Sequence, residues 1–121
     1  MNSLKTLFVV PEIRLDSAPY HFPFWTGILA AIVEQKKGHV AVLDLNAMRA
    51  RYDGKQVPNK IIQEEIASEK WDLVGIGGLT TTYSRIKELA PLIRKNSPDS
   101  LFVGGGGWST YNPHEILELI P

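Results

Sequence analysis

Two short apolar runs, each followed at once by glycines and hydroxyl residues, place the strongest constraint on how this chain folds. The first run lies within Trp71–Thr82, which reads WDLVGIGGLTTT, and the second opens Leu101–Thr110, which reads LFVGGGGWST. Apolar runs of this length that end at glycine are typical of buried strands that stop at a turn. Because parallel strands end at a common edge, where open α/β sheets bind ligands, we expect both glycine segments to border one site.

Strand-like and helix-like patterns alternate along the whole chain, which favours parallel strands joined by right-handed crossovers. We predict a three-layer α/β fold, Rossmann-like or flavodoxin-like, with strand order 2-1-3-4 and helices on both faces. The loops after strands one, three and four then border one crevice. The predicted strands cover 6–10, 39–45, about 72–76 and 101–103, and the predicted helices cover about 23–37, 59–69, 83–96 and 115–120.

The first helix carries apolar side chains at helical spacing, and we expect that face to pack against the sheet. Phe24 is expected in the core as well. The polar connection 46–58, which includes Arg49, is expected to contain turns. The apolar residues predicted to face the sheet are Trp25, Ile28, Leu29, Ile32 and Val33.

Composition excludes several classes of function. The 121 residues include 13 basic and 13 acidic side chains without a basic stripe, which argues against nucleic acid as a partner. There is no cysteine, so these residues provide no disulfide, cysteine nucleophile or iron–sulfur ligand. No apolar run approaches membrane length and no leader signature is seen, so we expect no membrane partner and a cytoplasmic location.

The glycine segments have a functional interpretation and a structural one. Glycines can let a ligand approach the main chain closely, or they can serve a turn that needs positive φ. The threonines can bind a ligand near a helix amino end, or cap that helix. We predict that this edge holds a large, flat cofactor. The candidate cofactor-binding residues are Gly77, Gly78, Leu79, Thr80, Thr81, Thr82, Tyr83, Gly104, Gly105, Gly106, Gly107 and Trp108.

No catalytic residue and no metal ligand is predicted. Of the three histidines, His39 and His114 are expected to be structural or solvated, and His21 lies in the loop after strand one. Glu12 and Asp16 share that loop, but spacing assigns neither of them a partner. No nucleophile–base pair is recognisable. The dinucleotide fingerprint is absent as well, because strand one leads into a segment without glycine.

A series of different short motifs lies along nearly the full chain. They are Val9-Val10-Pro11, Pro23 with Gly27 and Leu29-Ala30, Gly38-His39-Val40, Leu43-Asp44, Asp72 to Ile76, Thr81-Thr82-Tyr83, Val103-Gly104-Gly105, Thr110 and Pro113-His114-Glu115. On these motifs the chain resembles the N-terminal cobalamin (vitamin B12)-binding domain of B12-dependent radical S-adenosylmethionine enzymes.

The resemblance implies specific site residues. Related B12 folds carry Asp-x-His-x-x-Gly after strand one, Ser-x-Leu after strand three and Gly-Gly after strand four. Here Gly104-Gly105 matches the third pattern, Gly77-Gly78-Leu79 matches the second with glycine in place of serine, and the first pattern is absent. The implied state is cobalamin with its benzimidazole tail detached, no histidine ligand from the protein, the tail along strands three and four, and the corrin on the loops.

The resemblance also implies that chemistry occurs in another domain. A radical S-adenosylmethionine domain, with its 4Fe-4S cluster on a Cys-x-x-x-Cys-x-x-Cys motif, is expected downstream of residues 1–121. Methyl transfer or a related reaction would belong to the whole protein. We expect the chain to be a truncated form of the fold, with an exposed sheet edge through which copies associate. Two alternatives are a flavodoxin-like interaction or regulatory module without cofactor, and a small enzyme or flavin binder.

Overall fold

The computed structural model describes residues 3–13, 23–78, 82–110 and 113–119. Its strands form one sheet in the order β2-β1-β3-β4, and each neighbouring pair is parallel. The predicted α/β fold and strand order are therefore confirmed. The strands are β1 (Lys5–Val10), β2 (His39–Asp44), β3 (Leu73–Gly77) and β4 (Leu101–Gly105).

Helices connect the strands and follow the last of them. The short α2 lies in the connection that we expected to contain only turns, because the Asp44 carboxylate accepts a hydrogen bond from the Ala47 N–H at 3.0 Å and caps it. The helices are α1 (Phe24–Gln35), α2 (Leu45–Met48), a 3-10 helix (Arg49–Tyr52), α3 (Asn59–Ala67), α4 (Tyr83–Asn96), α5 (Gly107–Thr110) and α6 (Pro113–Leu119).

The hydrophobic core lies between one face of the sheet and helices α3 and α4. Leu7 of β1 pairs with Val74 of β3, and two residues further on Val9 pairs with Ile76, so these side chains share a face. That face packs against apolar side chains of the two helices. The fully buried helix residues are Ile62, Ile66, Ile86, Leu89 and Ile93.

Helix α1 lies on the opposite face of the sheet, because the crossover from β1 to β2 runs against the direction of the later crossovers. It contacts β1 and β2. The partly buried positions are Thr26, Gly27, Ala30 and Val33, which lie on one side of the helix. Small side chains thus allow α1 to approach the sheet closely.

The predicted orientation of α1 is wrong for its large side chains. Trp25 is 82% exposed, and Ile28, Leu29 and Ile32 are 52%, 50% and 47% exposed. Phe24, expected in the core, is also exposed. Both sides of this helix are apolar, so helical spacing alone could not tell which side faces the sheet.

Candidate functional site

The tips of β3 and β4 lie side by side at the carboxyl edge of the sheet. Ile76 pairs with Gly104, and Gly77 pairs with Gly105 at the end of the parallel ladder. The structure therefore brings together the two glycine segments that the sequence placed at one edge. Their part in binding stays a prediction.

Two of these glycines are required by the chain itself. Gly106 has φ +89°, and a Cβ atom there would lie 2.6 Å from the carbonyl oxygen of Gly78. A Cβ atom on Gly78 would in turn collide with Oγ1 of Thr82. The main chains of Gly106 and Gly78 therefore meet directly, and a side chain at Gly106 would separate the tips.

Gly105 differs, because nothing in the described part of the chain occupies the space beside it. A Cβ atom on Gly105 would meet no heavy atom within 4 Å apart from its chain neighbours. Leu101 and Val103 precede it on the same face of β4 and are exposed. This face, opposite α3 and α4, therefore ends in bare main chain that packing among the described residues does not explain.

A groove of about 470 Å³ runs along the unpaired side of β4. The guanidinium of Arg94 lies 5.3 Å from the centre of the Phe102 ring at this groove. The hydroxyls of Ser109 and Thr110, also at this groove, donate to the carbonyl oxygen of Gly106 at 3.2 and 2.9 Å, within the first turn of α5. The groove is lined by Arg94, Phe102, Gly104, Gly105, Ser109, Thr110, Pro113, Ile116 and Leu117.

A buried ion pair anchors the segment that leaves β1. The Glu12 carboxylate accepts hydrogen bonds from Arg85, with Nη2 at 2.8 Å and Nε at 3.1 Å. It also accepts from the Val57 N–H at 3.3 Å. The next residue is held too, because the Ile13 N–H donates to Oδ1 of Asn46 at 3.1 Å. These contacts attach the end of β1 to α4 and to the connection before α3.

Sequence reasoning missed this pair. Spacing in the sequence assigns Glu12 no partner and does not mark Arg85 as a functional residue. The available signal was that Arg85 lies four residues before the buried Leu89, which places it on the core side of α4. Arg49, expected in a turn, is also buried.

Several of the remaining predicted residues lie at the starts of α4 and α5. Thr82 is buried at the start of α4, and in the described part of the chain its side chain makes no capping hydrogen bond, so the capping interpretation of the threonines does not hold at Thr82. Tyr83 is partly buried against the core. Gly107 and Trp108 begin α5. The side chain of Trp108, and all of Leu79, Thr80 and Thr81, lie outside the described residues.

His39 lies at the opposite end of the sheet from the glycine tips, whereas His114 follows the groove-lining Pro113. His39 is at the amino end of β2, where its ring stacks on Trp71 with centroids 6.2 Å apart and its Nε2 is 3.4 Å from a carboxylate oxygen of Glu69. His114 is exposed in α6, and His21 lies outside the described residues. Within ranges 3–13, 23–78, 82–110 and 113–119, no three acidic or histidine side chains group as metal ligands. None of the helices described there is long and apolar enough to span a membrane.

Comparison with known proteins identifies similar chains. The family model described as the B12 binding domain matches residues 13–120. Two solved structures of the radical S-adenosylmethionine methyltransferase TsrM from Kitasatospora setae share the fold. One, with cobalamin and a 4Fe-4S cluster bound, is 22% identical with a TM-score of 0.77. The other, with tryptophan substrate and the S-adenosylmethionine analogue aza-SAM, is 23% identical with a TM-score of 0.76.

The similarity covers almost all of this chain but a small part of those proteins. Each TsrM comparison spans 98% of this chain and 22% of the other. At this level of identity the likeness shows the fold. No curated protein sequence matches.

Proposed function

The chain belongs to the B12-binding domain family, and on that premise we propose that it binds cobalamin in the base-off form, without a histidine ligand from the protein, as one module of a radical S-adenosylmethionine enzyme. The resemblance to a cobalamin-binding domain that the sequence indicated is thus confirmed for family and fold. The base-off state and the enzyme to which the module belongs are the proposed parts.

The observation that carries the proposal is the bare main chain at Gly105. A glycine inside a strand weakens the strand, and here it makes no room for another part of the described chain. Close approach by a ligand explains it. A flavodoxin-like module without cofactor offers no reason to leave this position bare.

The residues present fit cobalamin. The tips of β3 and β4 offer a flat surface of main chain for the corrin, and the face of β4 that ends at Gly105 offers an apolar surface for the benzimidazole tail. The Glu12–Arg85 pair fixes residues 11–13, which follow β1, at the same edge. When bound, cobalamin supplies a cobalt ion that carries a methyl group between other molecules. The role of this chain is to hold and orient the cofactor.

The reaction itself is assigned to a separate domain. The fold is shared with TsrM, a radical S-adenosylmethionine methyltransferase, of whose length this chain spans 22%. The 121 residues contain no cysteine to ligate an iron–sulfur cluster. We therefore assign S-adenosylmethionine, the 4Fe-4S cluster and methyl transfer, or a related radical reaction, to a domain downstream of this one.

The test is retention of hydroxocobalamin. The purified chain is mixed with hydroxocobalamin, desalted and examined by visible absorption, with an unrelated flavodoxin as the control. We expect corrin absorbance to elute with the chain and not with the flavodoxin. After reduction to cob(II)alamin, the electron paramagnetic resonance signal of cobalt is expected to show no hyperfine splitting from an axial nitrogen ligand. Equal absorbance in both samples contradicts the proposal and favours the module without cofactor.

His21 is expected to be dispensable for binding. Replacing His21 with alanine should leave both the amount of retained cobalamin and its absorption spectrum unchanged, because the Asp-x-His-x-x-Gly pattern of histidine-ligating B12 folds is absent. His114→Ala, in exposed α6, is the matched control. A spectral shift that appears only in His21→Ala identifies His21 as a cobalt ligand, and a loss of cobalamin only in that variant shows that His21 contributes to binding; either result overturns this part of the proposal.

A further inference from the structure

Helix α1 presents an uncharged apolar surface away from the sheet. Trp25, Ile28, Leu29 and Ile32, here called the outer stripe, are spaced i, i+3, i+4 and i+7 and form one continuous row along the helix. All are about half or more exposed. From position 24 to position 33 the sequence contains no charged residue.

This arrangement reverses that of an ordinary surface helix, whose large apolar side chains face the core. The outer stripe presents on the order of 400 Å² of apolar surface if a tryptophan side chain has about 200 Å² and the exposed fractions are applied. That is comparable to the largest apolar patches of typical monomeric proteins, roughly 300–600 Å², which are often functional. The outer stripe therefore has the properties of an interface.

The chain's own sheet does not bury this surface. Gly27 and Ala30 lie on the opposite side of α1, where the helix meets β1 and β2. Turning the helix to bury the stripe would place Trp25 and Ile28 where these small residues now permit close packing. A second surface is needed to cover the stripe.

We propose that two copies of this chain associate through their outer stripes, with the two α1 helices packed antiparallel about a two-fold axis. A stable homodimer buries about 800 Å² on each partner, of which about 500 Å² is apolar. The stripe supplies most of that apolar share. Because the outer stripe carries no charge, two copies can pack against each other without burying an ion. Trp25 is a suitable anchor residue for this interface. The dimer does not depend on the proposed cobalamin function.

The oligomeric state tests the proposal. Sedimentation velocity of the chain over a wide range of concentration is expected to show reversible formation of a species with twice the mass of one chain. Ile28→Lys, and independently Leu29→Glu, should raise the dimer dissociation constant at least about tenfold. Circular dichroism should be unchanged, since both side chains are exposed on the described surface, and the thermal midpoint should be unchanged at concentrations where the wild type is monomeric. Leu101→Lys, at an exposed position on β4, is the matched control and should remain dimeric.

Two results overturn the proposal. One is a wild-type chain that stays monomeric at every concentration, which leaves the stripe for a different domain. The other is a dimer that Leu101→Lys dissociates and Ile28→Lys does not, which places association at the edge of the sheet.

Cross-linking identifies the surface directly, because the chain contains no cysteine. Ile28 lies near the middle of the outer stripe, so in the proposed dimer two copies of Ile28→Cys approach across the axis. Copper–phenanthroline oxidation is expected to give a disulfide-linked dimer of Ile28→Cys and much less of Glu64→Cys, an exposed position on α3. Equal cross-linking of the two variants contradicts the proposed interface.

Discussion

Replacing Gly105 with valine is expected to lower the affinity for cobalamin at least about tenfold while changing the free energy of unfolding by less than about 1 kcal/mol. The added side chain has space in the described chain, since its Cβ meets no heavy atom within 4 Å beyond the adjacent residues. Valine also suits a strand better than glycine. The loss should therefore fall on the ligand that needs the bare main chain. Equilibrium dialysis with hydroxocobalamin and urea unfolding measure the two effects.

Gly75 provides the matched control. It lies on the same face of β3, but a Cβ atom there would lie only 2.9 Å from Cδ1 of Phe8, so its missing side chain is explained by packing. Gly75→Val is expected to lower the free energy of unfolding by about 1–3 kcal/mol through overpacking. If Gly105→Val loses stability as Gly75→Val does, or binds cobalamin as the wild type does, Gly105 has no special role in binding.

Replacing Arg85 with alanine is expected to lower the free energy of unfolding by about 3–5 kcal/mol. The side chain of Glu12 is only 1% exposed and that of Arg85 only 8% exposed, so the variant leaves a carboxylate in the interior without its cation. The loss should also release residues 11–13, because Glu12 connects them to α4. Chemical denaturation measures the first effect and cobalamin retention the second.

Two further variants test the cause of that loss. Arg85→Lys keeps a cation but cannot bind the Glu12 carboxylate through two guanidinium N–H groups. Its stability should lie between those of the wild type and Arg85→Ala. The double variant Glu12→Gln with Arg85→Met removes both charges and should recover much of the stability lost by Arg85→Ala, since a neutral pair leaves no buried ion. A loss below about 1 kcal/mol for Arg85→Ala would mean that the pair is screened like a surface ion pair.

The sheet could be predicted because the sequence patterns that indicate its strands are local. Each apolar run and the glycines that end it lie within a few residues of each other, and alternation with helices indicates a parallel sheet, for which 2-1-3-4 is a common doubly wound order. The structure adds the register, in which Gly77 pairs with Gly105. What could not be predicted is that a side chain has space at Gly105 and none at Gly106. That difference depends on the opposing main chain of Gly78.

The missed features have physical causes of two kinds. Helix α1 is apolar on both sides, so periodicity did not decide between the small residues and the outer stripe as the sheet-facing side. Glu12 and Arg85 are 73 positions apart, and no local pattern links residues at such a distance. The position of Arg85 on the core side of α4 indicated burial but not its partner.

A crystal structure of the chain with hydroxocobalamin tests the central claim most directly. We expect cofactor atoms in van der Waals contact, within about 4 Å, of the main chain at Gly77 and Gly105, with the benzimidazole detached from cobalt and no histidine in its place. A cofactor that leaves the main chain at Gly77 and Gly105 uncovered, or a histidine nitrogen on cobalt, would contradict the account.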